Sequence, residues 1–112
     1  MHHNILKALK RSKIVAEIIS VDFDGAAGYS RLKIRAKLIN RWQLQVWEHE
    51  TPVARRYAYH VFDGDVTVVR WDNAPHHRDI PTFPHHKHIC GEIAESEEMQ
   101  ISDVLAELEK MI

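Results

Sequence analysis

The sequence predicts an α+β fold, in which an antiparallel meander of about five strands lies between a short N-terminal helix and a C-terminal helix. Three observations support this prediction. Residues 14–72 contain successive segments rich in β-branched or alternating apolar residues, joined by links too short to hold helices. Both ends of the chain have helical spacing instead. The length of 112 residues provides for one hydrophobic core, so we expect a single domain over residues 1–112.

The first part of the chain predicts a helix and two strands. Asn4 to Ser12 has the apolar stripe of a short basic helix. Ile14 to Val21 is rich in β-branched residues, which favours a strand, and Asp24 to Gly28 carries the glycines of a turn. Arg31 to Leu38 alternates strictly with a period of two. We therefore expect its cations to face solvent and its apolar side chains to face the core: Leu32, Ile34, Ala36 and Leu38.

Three further strands follow, over residues 42–48, 55–62 and 66–72. The last two flank Asp63-Gly64, a dipeptide typical of two-residue β-hairpin turns. Residues 73–100 have no periodicity and contain Pro75, Pro81 and Pro84, so the sequence predicts a long loop there. The closing segment 101–112 predicts a helix with Ser102 as its N-cap. The predicted domain thus consists of helix and meander (1–72), loop (73–100) and closing helix (101–112).

Composition excludes several classes of protein. The chain is 45% hydrophobic and 28% charged, which is typical of a folded soluble domain. It contains no apolar run of the roughly 18–20 residues that a membrane helix needs. The N-terminus lacks the apolar core of a signal peptide, and Cys90 is the single cysteine. We therefore expect a cytoplasmic protein with no membrane contact.

Charge is distributed unevenly along the chain. Residues 1–60 carry eleven Lys or Arg against five Asp or Glu, a balance of +6, whereas residues 61–112 carry four against eleven, a balance of −7. Such asymmetry suggests a surface that binds a polyanion. The candidate contacts to a nucleic-acid backbone are Arg31, Lys33, Arg35, Lys37 and Arg56. The alternative is that the lysine-bearing strand only protects the sheet from aggregation.

Two histidine-rich boxes lie in the predicted loop. Box 1 is Asp72-Asn73-Ala74-Pro75-His76-His77, and box 2 is Thr82-Phe83-Pro84-His85-His86-Lys87-His88. Histidine gives or takes a proton near neutral pH, and a neutral and a protonated imidazole together can cleave an RNA phosphodiester. We therefore predict His76, His77, His85, His86 and His88 as candidate acid, base and positioning groups. Asp72 would orient an imidazole, and Arg70 and Lys87 would bind phosphate.

The same residues permit two other interpretations. A metal ion bound by His86, His88, His76 and Asp72 is one alternative to a site that needs no cofactor. The spacings typical of structural zinc sites are absent, however. The other alternative is that the histidines are structural, with imidazole N–H groups bonded to loop carbonyls.

Box 1 and box 2 resemble the TumE-like family, and the similarity extends over most of the chain, including Tyr57-Ala58-Tyr59-His60 and the Asp63-Gly64 turn. The family consists of small proteins taken to be toxins of prokaryotic toxin–antitoxin modules. The resemblance implies an intracellular toxin, a helix-turn-helix antitoxin as partner, and RNA as the suspected substrate. Our leading expectation is a metal-independent ribonuclease. A non-catalytic module that binds nucleic acid or protein, and a metal-dependent nuclease, remain alternatives, and the sequence leaves open whether the chain forms a homodimer.

Overall fold

The computed structural model describes the backbone of residues 2–112 and the side chains from Asn4 onward. The chain runs through α1 (His2–Arg11), β1 (Val15–Ala26), β2 (Tyr29–Leu38), β3 (Gln43–Glu50), β4 (Arg55–Asp63), β5 (Val66–Asp72), β6 (His86–Ile89), β7 (Glu92–Glu95) and α2 (Ile101–Met111). The predicted α+β class, with a helix at each end of a meander, is confirmed.

The strands of residues 2–112 form one antiparallel sheet in the order β1-β2-β3-β4-β5-β6-β7, so the sheet has seven strands rather than the five predicted. The additional strands, β6 and β7, lie in the segment for which the sequence predicts a loop. Strands of four residues are too short to display a period. The turn between them has both Cys90 and Gly91 at positive φ, 54° and 75°. Two such residues make a tight hairpin turn, but a cysteine there is not a recognisable sequence signal.

The predicted alternation of β2 is confirmed. Leu32, Ile34, Ala36 and Leu38 are buried, whereas the four cations between them are exposed. Both helices pack on this side of the sheet, which we call the core face; the opposite side is the polar face. Burial of each large apolar side chain contributes about 1.5–3 kcal/mol. The core also includes Ile5, Leu9, Leu44, Val46, Tyr57, Tyr59, Val61, Val69, Trp71, Val104, Leu105 and Leu108.

The core face also holds a charged network that the sequence analysis did not predict. Glu48 is only 2% exposed. Its Oε2 lies 3.2 Å from Nη2 of Arg55 and accepts a hydrogen bond from the hydroxyl of Tyr59. Burial and the adjacent Glu48 raise the pKa of Tyr59, so this hydroxyl stays protonated. Arg55 also donates to the carbonyl of Met99 at 2.9 Å, and the network thereby fixes the segment that enters α2.

The N-cap of α2 is Gln100, so the prediction of Ser102 was wrong. Ser102 lies inside the first turn. The helix begins earlier because Asp103 accepts a hydrogen bond from the Gln100 backbone N–H at 2.8 Å, as in the reciprocal half of a capping box. Asp103 also places negative charge near the helix N-terminus, where the helix dipole favours it.

Candidate active site

Box 1 and box 2 meet because β6 pairs with β5. The register places Arg70 opposite His88 and Asp72 opposite His86. Directly paired residues lie on the same face of a sheet, and alternate residues of one strand share that face. The pairing therefore brings two imidazoles of box 2 beside the carboxylate of box 1. Thr82 fixes the entry to β6, since its hydroxyl donates to the carbonyl of His85 at 2.7 Å.

Asp72 is the centre of this cluster. Its side chain is 4% exposed, and nitrogens of four groups in the described part of the chain lie within 3.3 Å of its oxygens. One carboxylate oxygen, Oδ1, lies 2.9 Å from Nε2 of His86 and 3.0 Å from the backbone nitrogen of Ala74. The other, Oδ2, lies 3.1 Å from Nε of Arg70 and 3.3 Å from Nε2 of His88. These contacts stabilise the Asp72 carboxylate, whose burial would otherwise be unfavourable.

His86 is a buried positioning group rather than a proton carrier. Its side chain is 2% exposed. Nδ1 lies 2.9 Å from the carbonyl oxygen of Pro84, and because a carbonyl only accepts, this nitrogen carries a proton. The other nitrogen faces Asp72. Both ring nitrogens are therefore engaged, and in this arrangement neither can reach a substrate.

His77 joins His86 and His88 in a trio of edge-on rings. Their centroids are 4.8 Å apart for His77 and His86, 5.9 Å for His77 and His88, and 5.0 Å for His86 and His88. One nitrogen from each ring lies within 4.8 Å of the others. The loop of box 1 thus folds back over β6, and the predicted gathering of histidines holds for these three.

Other residues of the two boxes lie elsewhere. His85 is directed towards the core, where its Nδ1 is hydrogen-bonded to the hydroxyl of Tyr57 at 2.8 Å. His76 is exposed and outside the trio. Lys87 is paired with the buried Trp71, so it lies on the core side of β6, away from Asp72. The structure therefore separates these three from the cluster that sequence proximity suggested.

The cluster opens onto a groove in the polar face. A cavity of about 430 Å³, within the usual size range of ligand sites, is lined in part by Lys33, Gln45, Trp47, Arg56, Arg70 and Asp72. A second cavity of about 250 Å³ is lined in part by His60, Thr67, Arg70 and His88. Arg70 borders both cavities, and its side chain is 45% exposed. The groove therefore combines cations, an aromatic side chain and imidazoles.

His60 is the site residue that the sequence analysis missed. The sheet register sets His60 opposite Arg70, and Arg70 opposite His88, on three neighbouring strands. The two imidazoles therefore flank one guanidinium on the polar face. His60 belongs to the segment Tyr57-Ala58-Tyr59-His60 that resembles the family, but the sequence does not indicate its role, because its neighbours are determined by pairing with β5.

Both flanking histidines favour the neutral form. Burial lowers the pKa of His60, and the charges of Arg70 and His88 lower it further. Burial also lowers the pKa of His88, and this effect outweighs the attraction of Asp72. The 3.3 Å contact between His88 and Asp72 therefore involves a ring that favours the neutral form. A neutral imidazole can accept a proton, and the guanidinium between the two rings can bind an anionic group beside them.

The cation row of β2 has close acidic neighbours. Arg31, Lys33 and Lys37 are paired with Asp24, Asp22 and Glu17 of β1. Arg31 lies 3.6 Å from Asp24. Arg35 is paired with Ser20 and donates to Gln45 at 3.4 Å. These acids reduce the net charge at the β1 edge, so the positive potential shifts towards the centre of the sheet. There Arg56 donates to the carbonyl of Asn73 at 2.9 Å and lines the larger cavity.

Comparison with known proteins identifies the family. None of the helices in residues 2–112 is long and apolar enough to cross a membrane. No curated protein and no solved structure matches the chain significantly. The family model described as Toxin TumE matches residues 5–112, which include both histidine boxes and every strand. The chain therefore belongs to the TumE toxin family, as its two boxes indicated.

Proposed function

We propose that the chain is a metal-independent ribonuclease toxin, in which His60 and His88 transfer protons to and from an RNA phosphodiester held by Arg70. The observation that carries this proposal is the placement of Arg70 between two imidazoles where the two cavities meet. Strands lie about 4.8 Å apart, so the two histidine Cα atoms are separated by roughly 10 Å, which leaves room for one phosphate between the rings.

Arg70 is the phosphate-binding group of this proposal. Its Nε is held by Asp72, which fixes the plane of the guanidinium. The two terminal nitrogens are then available for the planar, two-point contact that arginine makes with phosphate. As the phosphorus gains a fifth oxygen ligand in the transition state, negative charge accumulates on its non-bridging oxygens. A fixed cation stabilises that charge more than it stabilises the ground state.

The two histidines supply the base and the acid. One neutral imidazole takes the proton of the ribose 2′-hydroxyl, whose oxygen attacks phosphorus. The other, protonated when the anionic phosphate is bound beside it, gives its proton to the departing 5′-oxygen. The products are a 2′,3′-cyclic phosphate and a free 5′-hydroxyl. Asp72 holds His88 by accepting its Nε2 proton, and His86 in turn holds Asp72.

The rest of the groove suits a single RNA strand. Lys33 and Arg56 extend the line of positive charge from Arg70 along the larger cavity. Trp47 lies between them in the same cavity and is partly exposed, so its ring can stack on a base. Contacts of this kind depend little on base identity, so we expect weak sequence preference outside the cleaved nucleotide.

The test is cleavage of an RNA oligonucleotide by purified, untagged protein in the presence of EDTA. We expect His60→Ala and His88→Ala each to reduce the rate about 10²–10⁴-fold, the usual contribution of a general acid or base. His76→Ala serves as the matched control, because that histidine is exposed and lies outside the cluster. Wild-type rates in both test variants would overturn the proposed mechanism.

We also propose a helix-turn-helix antitoxin as the partner and the cytoplasm as the compartment in which toxin and RNA meet. Membership of a toxin family implies an antitoxin. The test is co-purification of the chain with the small protein encoded beside it, together with relief of growth arrest on co-expression. Failure of the neighbouring protein to bind, or to restore growth, would contradict this partner.

A further inference from the structure

The trio of His77, His86 and His88 has the composition and spacing of a transition-metal site. Their nearest ring nitrogens lie within 4.8 Å of one another. Asp72 adds a carboxylate whose oxygens lie 2.9 Å from Nε2 of His86 and 3.3 Å from Nε2 of His88. In tetrahedral zinc sites with bonds of about 2.0–2.1 Å, neighbouring ligand atoms lie about 3.3 Å apart. Each of these two distances is close to one edge of such a tetrahedron, but they involve different oxygens of Asp72. Small movements of this carboxylate and of the His77 loop would bring one oxygen and the three ring nitrogens around a single ion.

The orientation of His86 supports the same conclusion. Its Nδ1–H donates to the carbonyl of Pro84 at 2.9 Å. Histidines that bind metals commonly use one nitrogen as ligand while the other donates to a carbonyl, which fixes the ring. The remaining nitrogen points at Oδ1 of Asp72. These two atoms lie 2.9 Å apart, close enough for both to contact one bound cation.

We propose that this cluster binds one divalent transition-metal ion, of which zinc is the representative, through His77, His86, His88 and Asp72. Imidazole and carboxylate ligands suit zinc, which takes four ligands in a tetrahedral arrangement. The site differs in one ligand from the metal-binding alternative that the sequence suggests, since His77 replaces His76. Arg70 lies 3.1 Å from Oδ2 of Asp72 and remains outside the ligand set, and its positive charge weakens cation binding.

Metal binding would regulate the active site. This part of the inference rests on the proposed function. An ion bound to Nε2 of His88 leaves the single proton of the neutral ring on Nδ1, so the lone pair that the proton-transfer step requires is lost. The metal-bound form therefore binds RNA through Arg70 and Arg56 but cleaves it slowly. Zinc would act as a reversible inhibitor of the nuclease.

The test is a calorimetric titration of the untagged protein with ZnCl₂ after EDTA treatment and dialysis. We expect one ion per chain. Removing a residue that only hydrogen-bonds to a metal ligand weakens metal binding about 10–100-fold. His77→Ala removes a proposed ligand itself, so it should weaken zinc binding at least tenfold. His76→Ala is the matched control and should remain within about twofold of wild type, because His76 is exposed and lies outside the ligand set. Each variant lacks a single histidine, so weak zinc binding by the remaining histidines is the same in both variants and does not affect the comparison between them.

Two results would overturn the metal site: no stoichiometric binding by the wild type, or equal binding by wild type and His77→Ala. If His77→Ala is poorly folded, the visible absorption of bound Co²⁺ in the wild type decides instead; a tetrahedral spectrum supports the site, and an octahedral one contradicts it. In the cleavage assay, zinc at a concentration that saturates the site in the titration should slow the wild type at least tenfold, and EDTA should restore it. Absence of any cleavage would refute the proposed function but leave the titration decisive. Zinc-stimulated cleavage would support the site and refute inhibition.

Discussion

Replacing Asp72 with asparagine should destabilise the protein strongly, because the carboxylate is buried and saturated with donors. Its oxygens lie 3.1 Å from a nitrogen of Arg70, 3.0 Å from that of Ala74, 2.9 Å from that of His86 and 3.3 Å from that of His88. Asparagine retains one acceptor oxygen. Its amide group presents two N–H donors to a site where nitrogens already converge, so at least two of these favourable contacts are lost.

The magnitude follows from the burial of the pair. Removing one partner of a buried, hydrogen-bonded charge pair costs about 3–5 kcal/mol. Arg70 is 45% exposed and can be rehydrated, which favours the lower end of that range. We therefore expect Asp72→Asn to lose about 3 kcal/mol, which is a large part of the about 5–15 kcal/mol typical of small domains.

The assay is urea unfolding followed by circular dichroism. For a domain of this size the dependence on urea is about 2 kcal/mol per molar, so the midpoint should fall by about 1.5 M with an unchanged slope. Asp79→Asn is the matched control, since Asp79 is an exposed carboxylate of the same loop, and it should change stability by less than about 0.5 kcal/mol. A loss below about 1 kcal/mol in Asp72→Asn would refute the reasoning that the carboxylate organises the cluster.

Three further predictions concern groups that the fold buries. Glu48→Gln should lose about 3 kcal/mol in urea unfolding, because it leaves the guanidinium of Arg55 without its buried counter-charge; an unchanged midpoint would contradict this. Asn73→Ala should lose about 2 kcal/mol, because its amide satisfies the backbone N–H of Tyr57 and the carbonyl of Arg55; wild-type stability would show that water replaces the amide. Burial lowers the pKa of His60, so the folded state binds fewer protons than the unfolded state below about pH 6.5. Stability should therefore fall as the pH drops from that value through the folded pKa, and His60→Gln should flatten the decline; identical pH profiles would contradict the shift.

The sequence analysis was most successful for strands that bury one face. The alternation of β2 identified its buried residues individually, since a shift of one position would expose all four. The Asp63-Gly64 dipeptide correctly predicted the β4–β5 hairpin, but Asp63 ends β4 and the turn itself is Gly64-Asp65. The strand β1 was predicted only as far as Val21, whereas it continues to Ala26. The predicted turn at Asp24 to Gly28 was too long, because Gly25 lies within the strand.

The candidate site was less predictable because it depends on pairing between distant strands. The histidine boxes marked the correct region, but they did not indicate that His86 and His88 lie on one side of β6 and His85 on the other. That alternation would have followed from recognising His86–Ile89 as a strand. The position of His60 beside Arg70 depends on the β4–β5 register, which includes an irregularity between Val61 and Phe62 and cannot be obtained from either strand alone.

The chemistry of the cleaved RNA ends is the most direct measurement of how this groove acts. Attack by the 2′-hydroxyl, assisted by His60 and His88, predicts products that carry 2′,3′-cyclic phosphate and 5′-hydroxyl ends, formed in EDTA. It also predicts that an oligonucleotide with a 2′-deoxyribose at the cleaved position resists cleavage. Products with 5′-phosphate ends, or cleavage of the deoxy-substituted strand, would contradict proton transfer by these two histidines.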